Sequence, residues 1–414
     1  MTIQADNMAH PSRAWDSCLA AARRIKGLSG LRKQVGLPPG HDIGEHQWQE
    51  IENRLKTIEA QLSNQLKMTA KAFLKDAAND KEAFRSLHHQ IGEVEVGLVQ
   101  AYAFFDTFLD VLTQRHMPEL GPMLRGCDKL ALDAIRRPHP GLNLVEPPLV
   151  SVNRGWGASI AREGTKMPGG NLNPLGLIEI PYTRMMEKYN LTSILHEAGH
   201  EVMVRLGLRE VLPLLIGKAL QKNGASPGLI QYFRLWMSEI GPDFWTFLCS
   251  GIAAAGGIRE ILAFPPAMIF RVSWTDPHPP AWLRVLLNFE WCRQVWGNGL
   301  WDNWEREWLR IYPLKLAPLE HRRLLDEGKR ALPIVARALL QSPFRELNGK
   351  PLTSLFKLAD LSPARLENRL ANGKIELRNL RPAAHLGVFR LIKEKRLLSS
   401  QELDLLMSRW LHNL

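Results

Sequence analysis

Several features that would place this chain outside the cell, in a membrane or on a nucleotide are missing from it. Its four cysteines, Cys18, Cys127, Cys249 and Cys292, are scattered through 414 residues without paired spacing. That excludes a disulfide framework or a thiolate metal site, and reads as the reduced thiols of a cytoplasmic protein. The first residues, Met1 to Asp6, carry neither a basic start nor an apolar stretch, so no secretory signal is expected. No uninterrupted apolar run reaches the roughly 20 residues that span a bilayer. The nearest, Phe244 to Ile258, is short and Gly-rich and reads as a buried core helix, so no integral membrane segment is expected. A GxxxxGK(S/T) phosphate loop is missing as well, which excludes a P-loop ATPase module.

What is present is an ordinary globular composition, 45% hydrophobic and 23% charged, which leaves little room for extended disorder. A chain of 414 residues exceeds one typical core, so two or three domains are expected.

The most informative stretch is Leu195-His196-Glu197-Ala198-Gly199-His200-Glu201. Residues i and i+4 share one face of an α-helix, so His196 and His200 can reach one metal ion. Glu197 lies at a neighbouring azimuth, where its carboxylate can meet a water on the metal and act as general base. This is the HExxH spacing of zinc hydrolases. The plainer reading is an amphipathic helix with two histidines. Against it, Ile194, Leu195, Ala198, Val202 and Leu206 form the stripe of a buried helix, and buried polar groups require partners. A glycine inside a helix costs about 1 kcal/mol relative to alanine, so Gly199 points to close approach of another backbone or a ligand.

Catalytic zinc takes three protein ligands and leaves a position for water. Glu239 and Asp243, four residues apart on a strongly apolar background, supply a candidate third ligand, Glu239. One turn on, Asp243 can accept a hydrogen bond from the outer ring nitrogen of a ligating histidine, fixing its tautomer. Alternatively the two acids occupy the exposed start of a helix, with Pro242 in the first turn.

HEAGH followed by Glu239xxxAsp243 resembles the gluzincin branch of zinc metallopeptidases, of which thermolysin is the familiar member. Further on, Thr275-Asp276-Pro277-His278-Pro279-Pro280-Ala281-Trp282-Leu283-Arg284 is similar to the His-Pro…Arg element of the HtpX and CaaX-prenyl-protease group, without that group's transmembrane helices. The resemblance covers residues 145 to 290. It implies a zincin-like catalytic domain and a Zn2+ cofactor. It also implies roles near substrate and oxyanion for His278 and Arg284. A histidine in a proline-rich turn can instead cap backbone groups.

Upstream, Pro148 to Asn153 and Leu175 to Pro181 read as short strands, with Gly155-Trp156-Gly157 and Met167 to Asn171 as loops. Ile178 to Pro181 is a candidate edge for pairing with an extended peptide; a strand inside the sheet is the alternative. Tyr182, His278 and Arg284 are the candidate oxyanion donors, Tyr182 being equally readable as a packing residue.

Residues 11 to 135 read as helical. Ile51, Leu55, Ile58, Leu62 and Leu66, then Phe84, Leu87, Ile91, Val94 and Leu98, recur at spacings of three and four, with Lys75 to Lys81 as the turn of a long antiparallel hairpin. Such a hairpin packs within its own chain, lies over the cleft as a lid, or forms a dimerisation arm. At the other end, Leu332 to Leu340, Leu352 to Leu358 and Ser399 to His412 read as helical. From His321 to Leu414, 18 Lys and Arg face 9 Asp and Glu. This basic segment suits an anionic partner, protein or nucleic acid, or is a solvated helical surface. Nine of the 13 tryptophans lie between Trp236 and Trp308, where Trp291, Trp296, Trp301, Trp304 and Trp308 line a groove or pack the core.

The expected fold is therefore mainly α with a small β-sheet: a helical domain over 1–140, a zincin-like catalytic domain over 141–315 and a basic helical domain over 316–414. Two functions are expected from it. One is hydrolysis of a peptide or protein substrate by zinc-activated water with Glu197 as base. The other is a regulatory or binding role on the same fold, with the basic segment as the recognising part.

Overall fold

A computed structural model describes residues 6–76, 81–155, 157–373 and 375–414. About 70% of it is helix and 5% strand, so the fold is mainly α with small sheets. The chain divides into two compact units, residues 1–125 with 161–177 and residues 126–160 with 178–414. The segments 141–315 and 316–414, separate domains in the sequence reading, thus share the second unit except for 161–177.

The first unit is built on α1 (Asp6–Gly27), α2 (Leu31–Val35), α3 (Glu45–Asp76) and α4 (Lys81–Thr113). The three-four spacing places Trp48, Ile51, Leu55, Ile58, Leu62 and Leu66 of α3 against Leu87, Ile91, Val94 and Leu98 of α4, all buried. A Cβ at Gly97 would stand 2.6 Å from Leu62 Cδ2, so the bare glycine lets the two helices meet closely. Cys18, Ala21 and Ile25 of α1 complete this core. The turn expected at Lys75 to Lys81 has its centre, 77–80, outside the described residues, as is the side chain of Phe84. Segment Arg85–His116 is long and apolar enough to cross a membrane by length and composition, at mean hydropathy 1.2, where the sequence reading expected no such stretch. Core helices pass the same test, and Phe104, Phe108 and Leu112 of this one are fully buried.

The second unit opens with the later part of α5 (Leu120–Ile135) and a three-stranded sheet of β1 (Leu149–Asn153), β2 (Ser159–Ala161) and β3 (Leu177–Pro181) in the order β1-β3-β2. Of the two readings of Ile178 to Pro181, the strand inside the sheet holds: β3 is the central strand. The near-continuous burial of Leu177, Ile178 and Ile180 shows that both faces of the sheet are covered at this strand. The half-exposed β2 is an edge instead.

Helices α6 (Thr183–Met186), α7 (Thr192–Arg205), α8 (Leu208–Lys222), α9 (Pro227–Ser250) and α10 (Ile252–Ile261) follow. Phe244 to Ile258 is deeply buried, as the pattern suggested, but it is two helices. They break at Gly251, whose φ of 58° suits a residue without Cβ. After α11 (Pro266–Ile269) come α12 (Ala281–Trp296), α13 (Leu300–Ile311) and α14 (Leu319–Gln341). Trp291, Trp301, Trp304 and Trp308 are buried among them, and Trp296 Nε1 donates to the Leu358 carbonyl, so these rings pack helices and do not line a groove.

Pro343–Phe344 and Lys350–Pro351 pair antiparallel, and α15 (Pro363–Glu367), α16 (Pro382–Glu394) and α17 (Ser400–Asn413) end the chain. Leu352 to Leu358, expected as one helix, is a 3-10 turn over Leu352–Leu355 followed by extended Phe356, and the next 3-10 turn starts only at Leu358. Part of the C-terminal charge is internally matched: fully buried Arg390 binds Glu260 and Asn190, and Arg381 pairs with Asp133.

Candidate metal centre

Helix α7 buries Ile194, Leu195, Ala198 and Val202 completely, which fixes its rotation and turns His196 and His200 towards α9. Their rings stand edge to face with centroids 4.9 Å apart. The two helices cross where neither has bulk. A Cβ on Gly199 would lie 2.8 Å from Pro242 Cα, so the glycine is bare because another backbone occupies that space.

This crossing brings the carboxylates of α9 to the histidines. Glu239 Oε2 is 3.2 Å from His196 Nε2 and Glu239 Oε1 is 3.7 Å from His200 Nε2. The ligand atoms of His196, His200 and Glu239 all fall within 4.8 Å of one another, a group that could hold a metal ion. On the other side of the His196 ring, Asp243 Oδ1 is 2.9 Å from Nδ1. Neither carboxylate occupies an exposed helix start, the alternative considered from sequence. Ser226 caps α9, and Glu239 and Asp243 are buried well inside it at 6% and 5% exposure.

Arg284, on α12, grips Asp243 with two hydrogen bonds, Nε to Oδ2 at 2.5 Å and Nη2 to Oδ1 at 2.8 Å. Its Nη2 also lies 3.4 Å from His196 Nε2 and 3.9 Å from Glu239 Oε2, so the guanidinium clamps the carboxylate that orients His196 and still lines the cavity. His278 lies on the open side, 55% exposed, with Nε2 3.4 Å from Glu239 Oε2 and Nδ1 2.7 Å from Asp276 Oδ1. Asp276 also accepts the His278 backbone N–H at 3.0 Å, so a local turn aims the ring at the centre. Tyr182 is 53% exposed and is absent from the lining of the cavity described below; the structure does not bring it to the group.

Burial opposes charge on His196, but Asp243 and Glu239 outweigh it and push its pKa up to about 10. His200 is driven the opposite way, to about 4, by burial and by the neighbouring His196 charge. Burial alone would raise Glu239 and Asp243; the hydrogen bond and charge of His196 and the charge of Arg284 hold both below the usual carboxylate range. Glu197 stays above that range because burial dominates. Two acids of one cluster are thus pushed apart, the pattern that separates ligand from proton acceptor.

A cavity of about 290 Å³ opens onto His196, Glu197, Asp243, His278 and Arg284. Gly157 and Ala158, next to β2, form part of its wall, and α10 supplies Ile258 and Ile261. Two residues here were not singled out from the sequence. Asp276 was legible, since an acid two residues before His278 is an Asx-turn spacing. Arg184 was not, because nothing local separates it from a surface arginine.

No family model, no curated protein and no solved structure matches this chain.

Proposed function

We propose that this chain is a zinc metalloendopeptidase of gluzincin type, with His196, His200 and Glu239 as ligands and Glu197 as general base. The observation that carries it is a His-His-Glu group whose His196 lines a cavity also lined by Glu197. Two imidazoles and one carboxylate form the ligand set of zinc sites that keep an open position, and a closed structural site has no use for a buried, proton-accepting glutamate. Zinc bound there supplies Lewis acidity, polarising the scissile carbonyl and making a water acidic near neutral pH.

The chain's own side chains do the rest. Glu197 takes a proton from the attacking water as the C–O bond forms, and returns it to the amine nitrogen as the C–N bond breaks. Asp243, held by Arg284, keeps His196 in the tautomer that presents Nε2 to the metal. His278, exposed beside Glu239 and lining the cavity, would turn its Nε2 from Glu239 to the developing oxyanion. The edge strand β2, running on from Gly157 and Ala158, gives an extended peptide main-chain partners beside the cavity.

The test is Glu197→Gln in full-length protein with zinc content measured alongside peptide hydrolysis. The expected result is about one zinc per chain and a loss of hydrolysis of at least 100-fold, on the order that general-base catalysis contributes. Hydrolysis at the wild-type rate would remove Glu197 as the base, and a wild type that binds no zinc would remove the assignment altogether.

A further inference from the structure

The cavity beside the metal centre is lined by an arginine whose Nε is enclosed without a hydrogen-bond partner. Arg184, on the single turn of α6, lines the same cavity as His196 and Glu197 and is 8% exposed. Its Nε is fully enclosed without a hydrogen-bond partner, and among the described residues Arg184 donates no hydrogen bond and forms no ion pair. The nearest acid that acts on it, Glu187, does so only through space. Glu187's carboxylate is occupied elsewhere, by Asn190 Nδ2 at 3.2 Å and by Tyr189. An enclosed guanidinium nitrogen without an acceptor is costly, and a ligand on the guanidinium is one way to supply the partner.

Two other basic side chains that line the cavity are already partnered. Arg284 is held by Asp243, and His278 by Asp276 and Glu239. Arg184 is the cation left over. Around it the wall is apolar, with Ile258, Ile261, Leu262, Phe264 and Met268 facing the space. At about 290 Å³ the cavity stands at the small end of ligand pockets, which run from roughly 300 to 1,000 Å³. It has room for one or two residues of a peptide. Internal residues bring only neutral amides and their side chains; the one anion that every peptide carries is its C-terminal carboxylate. Planar, bidentate donors such as arginine are the usual match for that group.

We propose that this cavity takes the C-terminal end of a peptide, with its α-carboxylate on Arg184 and an apolar terminal side chain against Ile258, Ile261, Leu262 and Phe264. The proposal rests on the peptidase reading but departs from its internal-bond specificity: cleavage is directed to bonds near a free C-terminus. Arg184 binds and positions; it takes no part in the proton transfers assigned to Glu197.

The test compares two probes that differ in one group, N-acetyl-leucine and N-acetyl-leucinamide, in NMR titrations of the full-length protein with and without added zinc. The acid is expected to bind at least fivefold more tightly than the amide in both conditions, because the preference comes from Arg184 and not from the metal. Arg184→Gln should bring the two within twofold, and Arg184→Lys should keep part of the difference. N-acetyl-glutamic acid α-amide, whose carboxylate is on the side chain, should bind more weakly than N-acetyl-leucine; tighter binding would overturn the C-terminal assignment in favour of an acidic side chain. Equal binding of acid and amide by the wild type, or an undiminished preference in a folded Arg184→Gln, overturns the proposal. The wild-type comparison decides the matter even where the variant is unstable. Failure of the peptidase reading has a different signature: zinc-loaded protein that keeps the acid preference yet cleaves neither free nor amidated peptides.

Discussion

Gly199 and Pro242 touch backbone to backbone: a Cβ on residue 199 would stand 2.8 Å from Pro242 Cα and 3.1 Å from its carbonyl oxygen. The contact sets how near α9 lies to α7, and with it the separation of Glu239 from the two histidines. Gly199→Ala raises helix propensity by about 1 kcal/mol, but forcing a methyl into a filled space costs about 1–3 kcal/mol. The expected result is lower stability in a denaturant melt together with weaker zinc retention. A variant more stable than wild type with full zinc content would show that the crossing is looser than this.

Asp243 should matter through His196, and Arg284 through Asp243 and through its charge on Glu239. Asp243→Asn removes the acceptor that fixes the His196 ring, and losses of this kind weaken metal affinity by about 10–100-fold. Competition with a zinc-binding dye measures it. Arg284→Gln should weaken zinc less, since Asp243 then still reaches Nδ1. Glu239→Ala should reduce zinc content towards zero, and unchanged zinc content would remove Glu239 as the third ligand.

Metal uptake should release a proton from one histidine and not the other. With its pKa pushed up to about 10, His196 is protonated below that pH in the metal-free protein and must lose the proton to bind a metal. His200, lowered to about 4, is already neutral at pH 6. Calorimetric zinc titration at pH 6 in buffers of different ionisation enthalpy should give about one proton released per zinc. Affinity should rise about tenfold per pH unit towards pH 9. A count near zero would mean that the Asp243 contact does not hold the proton on His196.

His385 gives a stability prediction far from this centre. Trp410 Nε1 donates to its Nδ1 at 2.8 Å, and its Nε2–H faces the carbonyls of Leu377 and Leu380 at 3.0 and 3.1 Å. Burial lowers its pKa despite those carbonyls. Protonation therefore favours the unfolded chain, whose histidine titrates near 6.5. This contribution is fully present above about pH 6.5 and declines as the pH falls from there towards the folded pKa. Thermal melts at pH 7.5 and 5.5 should show a drop for wild type that is reduced in His385→Gln. An equal drop in both would assign the acid sensitivity to other groups.

The parts legible from sequence were those fixed by local geometry. Ile51 to Leu66 and Leu87 to Leu98 announced α3 and α4 because a 3.6-residue repeat turns every third or fourth side chain to one face. Gly199 announced a close approach because a glycine in mid-helix needs a reason. By contrast, the tryptophans of α12 and α13 carry no mark that separates a groove from a core, and β3 reads the same from its own residues whether it has one neighbour or two.

For the candidate site the same division holds, and its cause is sequence distance. Each pair, His196 with His200 and Glu239 with Asp243, lies on a single helix, so its i, i+4 spacing already puts both side chains on one face. That the two pairs meet follows from packing, since 43 residues separate His196 from Glu239 and their 3.2 Å contact depends on how α7 and α9 cross. Packing also turned Arg284 onto Asp243 and enclosed Arg184 in the cavity without a partner. Those outcomes depend on which helices cover a side chain, and an arginine's neighbours in sequence hold no record of that.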